Sequence, residues 1–268
     1  GIRDDLVTGV QTCALPIYDV TTPALDRVNK VLEWLQLPKE ERPHFISLYF
    51  ADVDIMGHKY GANSKEVRMA IYEIDAALAY LDSHLRKLPF AVNLFIVSDH
   101  GMHTLQPENF IYLSDHVRID SRAQVVDEGY FVRIYSKDEG YLLQLQEVLE
   151  KVPNLRVHRR QDIPERYHFK NHPRVGDLLV EAPPPYYVIH DREEEFWLKG
   201  DHGFDPSLVS DMGGIFYARG PNIKKGVVLH PFENIHLYPL LAKILGVPPA
   251  DNIDGKFDVL SSIYTDSS

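Results

Sequence analysis

The sequence contains very few cysteines and no long apolar run. Cys13 is the single cysteine among 268 residues, so no internal disulfide can form and the cysteine content indicates no redox compartment. No stretch approaches the roughly 18 consecutive apolar residues that a membrane-spanning helix needs. Basic residues are also scarce, with 28 Lys and Arg against 39 Asp and Glu, and the resulting net charge of −11 argues against binding to a nucleic-acid duplex.

The residues that are present are typical of a globular protein. Apolar residues make up 44% and charged residues 25% of the chain. At roughly 150 residues per domain, the length fits one large domain or two ordinary ones. Thirteen histidines stand out in this composition, and they direct attention to the segments that could carry chemistry.

The first residues of the chain differ in character from the rest. Residues 7–17 read VTGVQTCALPI, break every helical and strand period, and resemble the translation of a common short-read sequencing adapter. A natural disordered N-terminus is the alternative, whereas a signal peptide is excluded because no basic segment precedes an apolar core. We therefore predict that residues 1–17 are a non-native leader, that the natural sequence begins near Tyr18, and that its true N-terminus is missing.

The following hundred residues predict alternating strands and helices. Phe45–Phe50 and Val92–Ser98 are short apolar runs typical of buried strands. A loop is predicted over 51–63, followed by a helix that Ser64 caps and Pro89 ends. Strand, helix and strand in this order predict a parallel crossover and an α/β fold, in which ligands gather at the carboxyl ends of the strands. The apolar stripe of the helix comprises Val67, Ile71, Ile74, Leu78, Leu81, Leu85 and Leu88.

The pattern changes from about residue 111 onward. A Pro-, His- and Tyr-rich stretch covers 163–190, and it interrupts the alternation seen earlier. We predict that residues 111–199 form a small inserted α+β lobe, and that residues 18–110 and 200–268 form the core. The predicted elements are strands over 129–136, 155–159 and 214–218, a helix over 139–152, and a helix over 232–245 that Gly246 and Pro248 close.

Three separated segments carry residue types that bind metals, and each alone is more typical of an ordinary surface loop. They contribute Asp54 and His58 from DVDIMGH, Asp99 and His100 after the second predicted strand, and His202 from GDHGF. Together they offer nitrogen and oxygen ligands without a thiolate, which suits a pair of zinc ions better than Mg²⁺. Five ligands exceed what one catalytic zinc takes from protein and are too few for two complete sites, so one or two further ligands are needed.

Four segments resemble the ectonucleotide pyrophosphatase/phosphodiesterase family of the alkaline phosphatase superfamily. They read ERPHFISLYFADVDIMGHKYG (41–61), VNLFIVSDHGM (92–102), GDHGFDPSLVSDMGGIFYARGP (200–221) and HPFENIHLYPLLAKILGVPPADNIDG (230–255). The resemblance extends from about Tyr18 to Tyr264. It implies an alkaline-phosphatase-like α/β core with a mostly parallel central sheet flanked by helices.

The resemblance also implies roles for the five metal-ligand candidates. Asp54, His58 and His202 would bind one zinc ion, and Asp99 and His100 would bind a second. In that family an aspartate and the nucleophilic threonine, both from an N-terminal segment, complete the second site. We expect that segment to be absent here, together with the asparagine that helps to hold the phosphoryl oxygen.

Three further side chains bear on the implied chemistry. Tyr18 matches the tyrosine that stacks on the nucleobase in nucleotide-hydrolysing members of the family. Ser98 and Thr104 lie near the expected metal ligands, but we expect neither to replace the threonine, and we predict that Ser98 closes the strand. The expected catalytic threonine therefore has no substitute among these residues.

The implied activity is two-metal hydrolysis of a phosphodiester or pyrophosphate bond, with a nucleotide as the expected substrate. Two alternatives stay open: the same metal core acting on phosphonates or phospholipid headgroups, and an inactive zinc-binding fragment. Family members work in the periplasm, in secreted form or at the cell surface, so the resemblance implies such a location. The expected partners are two zinc ions and a small phosphodiester, with neither a nucleic-acid duplex nor a membrane span.

Overall fold

The computed structural model describes residues 19–170, 172–192 and 197–266. The predicted leader and Tyr18 lie outside this part of the chain, and the lobe boundaries at residues 111 and 199 stay a prediction. None of the helices in the described ranges is both long and apolar enough to cross a membrane. The described residues group into two compact units, a first unit of residues 19–53, 68–96 and 217–266 and a second unit of residues 54–67 and 97–216.

The helices and strands of the described residues follow in chain order. The helices are α1 (Ala24–Leu35), α2 (Asp52–Tyr60), α3 (Lys65–Leu85), α4 (Glu139–Leu149) and α5 (Leu237–Leu245). The first five strands are β1 (Leu94–Val97), β2 (His103–Thr104), β3 (Phe110–Tyr112), β4 (Ala123–Asp127) and β5 (Phe131–Ser136). The other strands are β6 (Arg156–Arg159), β7 (Leu178–Glu181), β8 (Tyr187–Ile189), β9 (Gly200–Asp201) and β10 (Phe216–Arg219).

Helix boundaries follow the signals in the sequence. The Ser64 hydroxyl accepts a hydrogen bond from the Val67 N–H at 3.1 Å and so caps α3 as predicted. Helix α5 ends at Gly246, whose φ of +67° is the left-handed conformation that glycine adopts without strain. The α-helix starts at Leu237, later than the predicted residue 232, because a short 3₁₀ turn at Asn234–His236 precedes it.

The apolar face of α3 differs from the predicted stripe. Ile71 was expected to be buried, but its side chain is 47% exposed. Ala70 and Ala77 are buried instead, along with Leu81. At 100° per residue these two alanines lie on the same face as Leu81, whereas Ile71 lies at its edge. The prediction placed the stripe by the large aliphatic residues and gave the alanines no weight.

The core of the first unit forms between α1 and α3. Helix α1 was not predicted from the sequence, although its apolar residues recur at helical spacing. Burying these side chains stabilises both helices, because each helix is apolar on only one face. The buried members of this core are Val28, Val31, Leu32 and Leu35 from α1 and Ala77, Leu81 and Leu85 from α3.

The predicted strand over Phe45–Phe50 is not assigned as a strand in the structure. Ile46, Leu48 and Phe50 pack on the core between α1 and α3. Phe45 and Tyr49 are 53% and 47% exposed, so the segment alternates between a buried and an exposed face. The predicted fully buried strand is therefore wrong here, and the predicted crossover from this segment to β1 stays a prediction. Strand β1 confirms the position of the second predicted strand and pairs with β10, but its residues are only partly buried and Val97 is 41% exposed.

The second unit contains a four-stranded antiparallel sheet with the order β4-β5-β7-β6. Helix α4 covers it, and the Asp138 side chain caps α4 by accepting the Tyr141 N–H at 3.0 Å. These elements confirm the strands and the helix predicted between residues 129 and 159, with slightly narrower bounds. Strands β3 and β8 run parallel in a separate pair. A parallel sheet that continues through the whole core stays a prediction.

Candidate metal centre

The first two metal-ligand candidates lie on a helix. Residues Asp52–Tyr60 form α2, where a loop was predicted over residues 51–63. Residues four apart share one face of a helix, so Asp54 and His58 become neighbours, with His58 Nε2 3.5 Å from Asp54 Oδ1. The helix passes through the buried Gly57, where a β-carbon would lie 2.9 Å from Met102 Cε. Glycine at this position lets the helix approach the segment that follows β1.

A two-stranded ribbon positions the third candidate. Strand β2 pairs antiparallel with β9, so His103 lies opposite Asp201 and Thr104 opposite Gly200. His202 follows β9 directly, and the Asp99–His100 pair precedes β2 by only a few residues. The ribbon thereby brings two segments together that are about a hundred residues apart in the sequence.

The ribbon also contacts α2 through the backbone. The Lys199 N–H donates a hydrogen bond to the His58 carbonyl oxygen at 2.7 Å. A β-carbon on Gly200 would lie 2.6 Å from the Gly57 carbonyl oxygen, so only glycine fits at this crossing. These contacts fix the helix that carries Asp54 and His58 against the strand that carries His202.

Asp54, His58 and His202 form a triad whose ligand atoms all lie within 4.8 Å of one another. Asp54 Oδ1 is 3.5 Å from His58 Nε2 and 3.7 Å from His202 Nε2. This oxygen is buried and has no hydrogen-bond partner among the described residues. A buried carboxylate oxygen without a donor is costly. A cation at the centre of the triad would satisfy it.

The histidine rings are oriented by backbone carbonyl oxygens. His58 Nδ1 lies 2.9 Å from the Gly200 carbonyl oxygen, and His100 Nδ1 lies 2.9 Å from the Gly101 carbonyl oxygen. A carbonyl oxygen can only accept, so in each ring Nδ1 is the donor, which leaves Nε2 as the nitrogen that a metal ion would take. Metal-binding histidines are commonly held in this way.

Asp99 and His100 lie beside the triad. The His100 ring stacks on the His202 ring with 3.5 Å between centroids and 17° between planes. The Asp99 side chain is 64% exposed, and its Oδ2 lies 3.6 Å from His100 Nε2. Among the residues that the structure describes, no third possible ligand lies close enough to Asp99 and His100 to form a second metal-binding group with them. The structure thus brings four of the five candidates together through contacts with His202 and leaves Asp99 facing outward.

The environment of His202 favours the neutral imidazole. Burial lowers the pKa of His202 below its ordinary value, and the neighbouring His100 lowers it further. The carboxylates of Asp201 and Asp54 oppose this shift without cancelling it. A neutral ring offers a lone pair to a metal ion, and zinc takes two histidines and one carboxylate in many catalytic sites.

The glycine after His202 is required by its surroundings. Gly203 has a φ of +92°, and a β-carbon there would lie 2.2 Å from Tyr130 Cζ. The Tyr130 ring therefore packs directly on the backbone of the metal-ligand loop. Burial raises the pKa of Tyr130 to about 12, so its phenol stays protonated at neutral pH.

The two hydroxyl groups considered as substitute nucleophiles bond to backbone amides. The Ser98 hydroxyl oxygen accepts from the Ile215 N–H at 2.8 Å, as expected for a residue that closes a strand. The Thr104 hydroxyl oxygen accepts from the Ala62 N–H at 3.1 Å. Both hydroxyl oxygens thus have a structural role.

Sequence reasoning missed Asp201, Asp205 and the role of Tyr187. The Tyr187 hydroxyl donates to Asp201 Oδ2 at 2.5 Å. Both aspartates stand inside the segment GDHGFD, directly beside the candidate His202. Their position next to that histidine is the one signal in the sequence that could have identified them.

Asp205 anchors the loop that contains His202 to Arg166 and Ser207. Its buried carboxylate accepts from Arg166 Nε at 3.1 Å, from the Ser207 N–H at 2.9 Å and from the Ser207 hydroxyl at 2.7 Å. Burial raises the pKa of Asp205, but the hydrogen bonds from Arg166 and Ser207 outweigh burial and lower it to about 2. The ionised form is thus stabilised in the folded state.

We expect Asp205→Asn to lower the free energy of unfolding by about 2 kcal/mol at pH 7. Because the folded pKa is depressed, the contribution of Asp205 is complete above about pH 4 and disappears as the pH falls toward 2. Urea unfolding at pH 7, 4 and 2.5 should show the difference from wild type shrinking with acidity. Asp115→Asn is the control, since the Asp115–Arg192 ion pair is exposed and should matter little. A difference that is constant across pH would contradict the prediction.

Comparison with known protein families agrees with the arrangement of these residues. The type I phosphodiesterase / nucleotide pyrophosphatase family matches residues 8–205, more than half of the chain. The chain belongs to this family. Mouse ectonucleotide pyrophosphatase/phosphodiesterase family member 7 is 33% identical over 94% of this chain and 57% of its own length. An ectonucleotide pyrophosphatase/phosphodiesterase of Caenorhabditis elegans is 32% identical over 93% of this chain and 30% of its own length.

Solved structures of ectonucleotide pyrophosphatases/phosphodiesterases share the fold of this family member. Murine ectonucleotide pyrophosphatase/phosphodiesterase 5 superposes with a TM-score of 0.84 at 29% identity, over 94% of this chain and 66% of that one. An inactive threonine-to-alanine variant of that protein, in complex with AMP, matches equally well. The chain therefore has the alkaline-phosphatase-like α/β fold. It spans 57% of the length of the mouse family member 7 and 30% of the length of the Caenorhabditis elegans relative.

Proposed function

We propose that this phosphodiesterase family member hydrolyses phosphodiester or pyrophosphate bonds of nucleotides in a zinc-dependent reaction. The observation that carries the proposal is the triad of Asp54, His58 and His202 with its buried, unpartnered Asp54 oxygen. The net charge of −11 adds to it, because a chain this acidic needs a local cationic centre to hold an anionic substrate.

We assign the triad to one zinc ion and Asp99 with His100 to a second. When bound, two zinc ions supply the charge that activates a nucleophile and stabilises the leaving oxygen of an in-line displacement. The residues of this chain hold the ligand atoms ready, because Gly200 and Gly101 fix the proton on Nδ1 of His58 and His100. The exposed side of Asp99 leaves room for further ligands from elsewhere.

We place the nucleophile, a threonine, outside the described residues. The Ser98 and Thr104 hydroxyl oxygens each accept a backbone N–H, so both have a structural role, and we assign neither as the nucleophile. The solved relative that carries a threonine-to-alanine change is inactive, which supports a catalytic threonine in this family. Tyr18, which we propose as the residue that stacks on the nucleobase, also lies outside the described residues.

Nucleotides are the substrate class that we favour. The inactive relative binds AMP, and the relatives share the name of nucleotide pyrophosphatases. The name of those relatives also supports a location outside the cytoplasm for this protein.

Zinc and ligand binding to the 268-residue chain test the proposal. We expect the chain to bind at least one zinc ion, and the zinc-loaded chain to bind AMP more tightly than phosphocholine or a phosphonate in calorimetric titrations. The metal-free chain should bind none of them measurably. Tighter binding of phosphocholine or the phosphonate would overturn the assignment to nucleotides. Turnover of a nitrophenyl nucleotide ester by this chain would support the substrate class and overturn our placement of the threonine outside it.

A further inference from the structure

A buried hydrogen-bonded pair lies directly behind the triad. Tyr187 of β8 and Asp201 of β9 are only 1% and 6% exposed. The Tyr187 hydroxyl donates to Asp201 Oδ2 at 2.5 Å. Burial, together with the Asp201 carboxylate, raises the pKa of Tyr187 above its ordinary value. The phenol therefore keeps its proton and remains a hydrogen-bond donor to the carboxylate.

The other oxygen of Asp201 faces the metal-ligand histidines. Asp201 Oδ1 accepts the backbone N–H of His202 at 2.9 Å and lies 3.6 Å from His58 Nδ1. His58 Nδ1 donates to the adjacent Gly200 carbonyl oxygen, so the Asp201 charge lies beside an N–H that points away from the triad. A single carboxylate thus holds the backbone of one candidate ligand and places negative charge behind the ring of another.

The pair is enclosed by a tight turn before β5. Gly129 has a φ of +83°, and a β-carbon there would lie 1.9 Å from the Tyr187 hydroxyl oxygen and 3.0 Å from Asp201 Oδ2. The Asp127 side chain holds this turn by accepting the Gly129 N–H at 2.8 Å. Since the turn closes over the pair, Asp201 has little freedom to leave the Tyr187 hydroxyl.

We propose that Tyr187 and Asp201 are positioning residues for the metal centre: Tyr187 orients Asp201, and Asp201 orients His202 and strengthens His58 as a ligand. The inference rests on the proposed zinc site of the triad. Outer carboxylates behind ligating histidines fix the ring orientation and raise its basicity, and removing them typically costs 10–100-fold in metal affinity. Neither residue is among the ligands predicted from the sequence.

Two substitutions test this pair. Asp201→Asn removes the charge while keeping the shape, and we expect zinc affinity to fall by about 10–100-fold. Tyr187→Phe removes only the hydroxyl, and we expect a loss of about tenfold, because the carboxylate stays but is no longer oriented. Zinc affinity is measured by competition with a chromophoric chelator, and the Co²⁺-substituted proteins are compared by visible absorption, which reports ligand geometry. Tyr141→Phe is the matched control, since its buried hydroxyl bonds the Asp120 N–H far from the triad.

The possible outcomes distinguish a failure of this inference from a failure of the proposed metal centre. Weaker zinc binding and altered Co²⁺ absorption in Tyr187→Phe, with Tyr141→Phe unchanged, would support the inference. Tyr187→Phe also decides the matter if Asp201→Asn does not fold. Unchanged affinity and absorption in a folded Tyr187→Phe variant, even with a lower melting temperature, would show a purely structural hydroxyl and overturn the inference alone. A wild-type chain that binds no zinc would overturn the proposed metal centre and this inference with it.

Discussion

Asp54→Asn is expected to abolish the stabilisation that zinc gives at the triad while leaving the metal-free chain at least as stable as wild type. The carboxylate supplies one of three ligands, and a ligand present at a thousandfold its Kd stabilises a fold by about 4 kcal/mol. That gain should disappear with the charge. In the metal-free chain the same oxygen is buried without a donor, so an amide at this position removes an unfavourable group.

Thermal unfolding with excess zinc and with a chelator measures both effects in one experiment. Wild type should melt higher with zinc, whereas the Asp54→Asn variant should lose most of this increase, because the triad holds three of the five assigned ligands. Asp52→Asn is the matched control, because it removes a charge from the same helix outside the triad and should keep the zinc response. A variant that gains as much stability from zinc as wild type would contradict the assignment of Asp54. A metal-free variant less stable than wild type would contradict the cost assigned to its buried oxygen.

A metal site within a fold should produce these two opposite effects of the Asp54 carboxylate on stability, favourable with zinc and unfavourable without it. Asp54 costs stability without a metal, yet α2 holds it in place through backbone contacts at Gly57 and the His58 carbonyl oxygen. Natural proteins tolerate such local costs where function needs them. The buried oxygen therefore has an explanation that a purely structural role would not provide.

The candidate ligands could be selected from the sequence, but the geometry of the helix that carries two of them could not. Residue type identifies Asp54, His58, Asp99, His100 and His202 as possible ligands, whereas the grouping of Asp54, His58 and His202 at one ion comes from the family resemblance. The loop predicted over residues 51–63 contains α2 in the structure. Its glycine and its acidic residues lower local helix propensity. Gly57 of this helix lies close to Met102 and Gly200, and both are far away in the sequence.

Long-range pairing also explains why Tyr187 and Asp201 were missed. Their hydrogen bond depends on where β8 and β9 lie in the folded chain, and neither strand is long enough to show a clear period in the sequence. In contrast, α4 and β5 are local, periodic and well bounded, so the sequence predicted both. The elements that position the site are the ones whose structure is set by tertiary contacts.

Gly101→Ala is expected to have the largest effect on stability, because no space exists for a methyl group. A β-carbon at this position would lie 1.9 Å from the Asp211 carbonyl oxygen and 3.0 Å from the Gly213 carbonyl oxygen. These are backbone atoms, and they cannot swing aside as a side chain would. The Gly101 N–H also donates to the Met212 carbonyl oxygen at 3.0 Å, so moving the two segments apart breaks this bond. We expect the free energy of unfolding to fall by roughly 3–5 kcal/mol.

The same displacement should reach the second predicted zinc site, since His100 Nδ1 donates to the Gly101 carbonyl oxygen. Urea unfolding measures the loss of stability, and zinc content under native conditions measures the loss of ligand geometry. Gly140→Ala is the matched control, and it should change stability in the opposite direction. Gly140 lies inside α4, where an added β-carbon would lie 3.4 Å from Asp138 Oδ1, an ordinary van der Waals distance. Alanine there should stabilise the fold by about 0.5–1 kcal/mol and leave zinc content unchanged. If Gly101→Ala instead unfolds at the same urea concentration as wild type, the backbone of residues 211–213 does not pack on Gly101 as the structure places it.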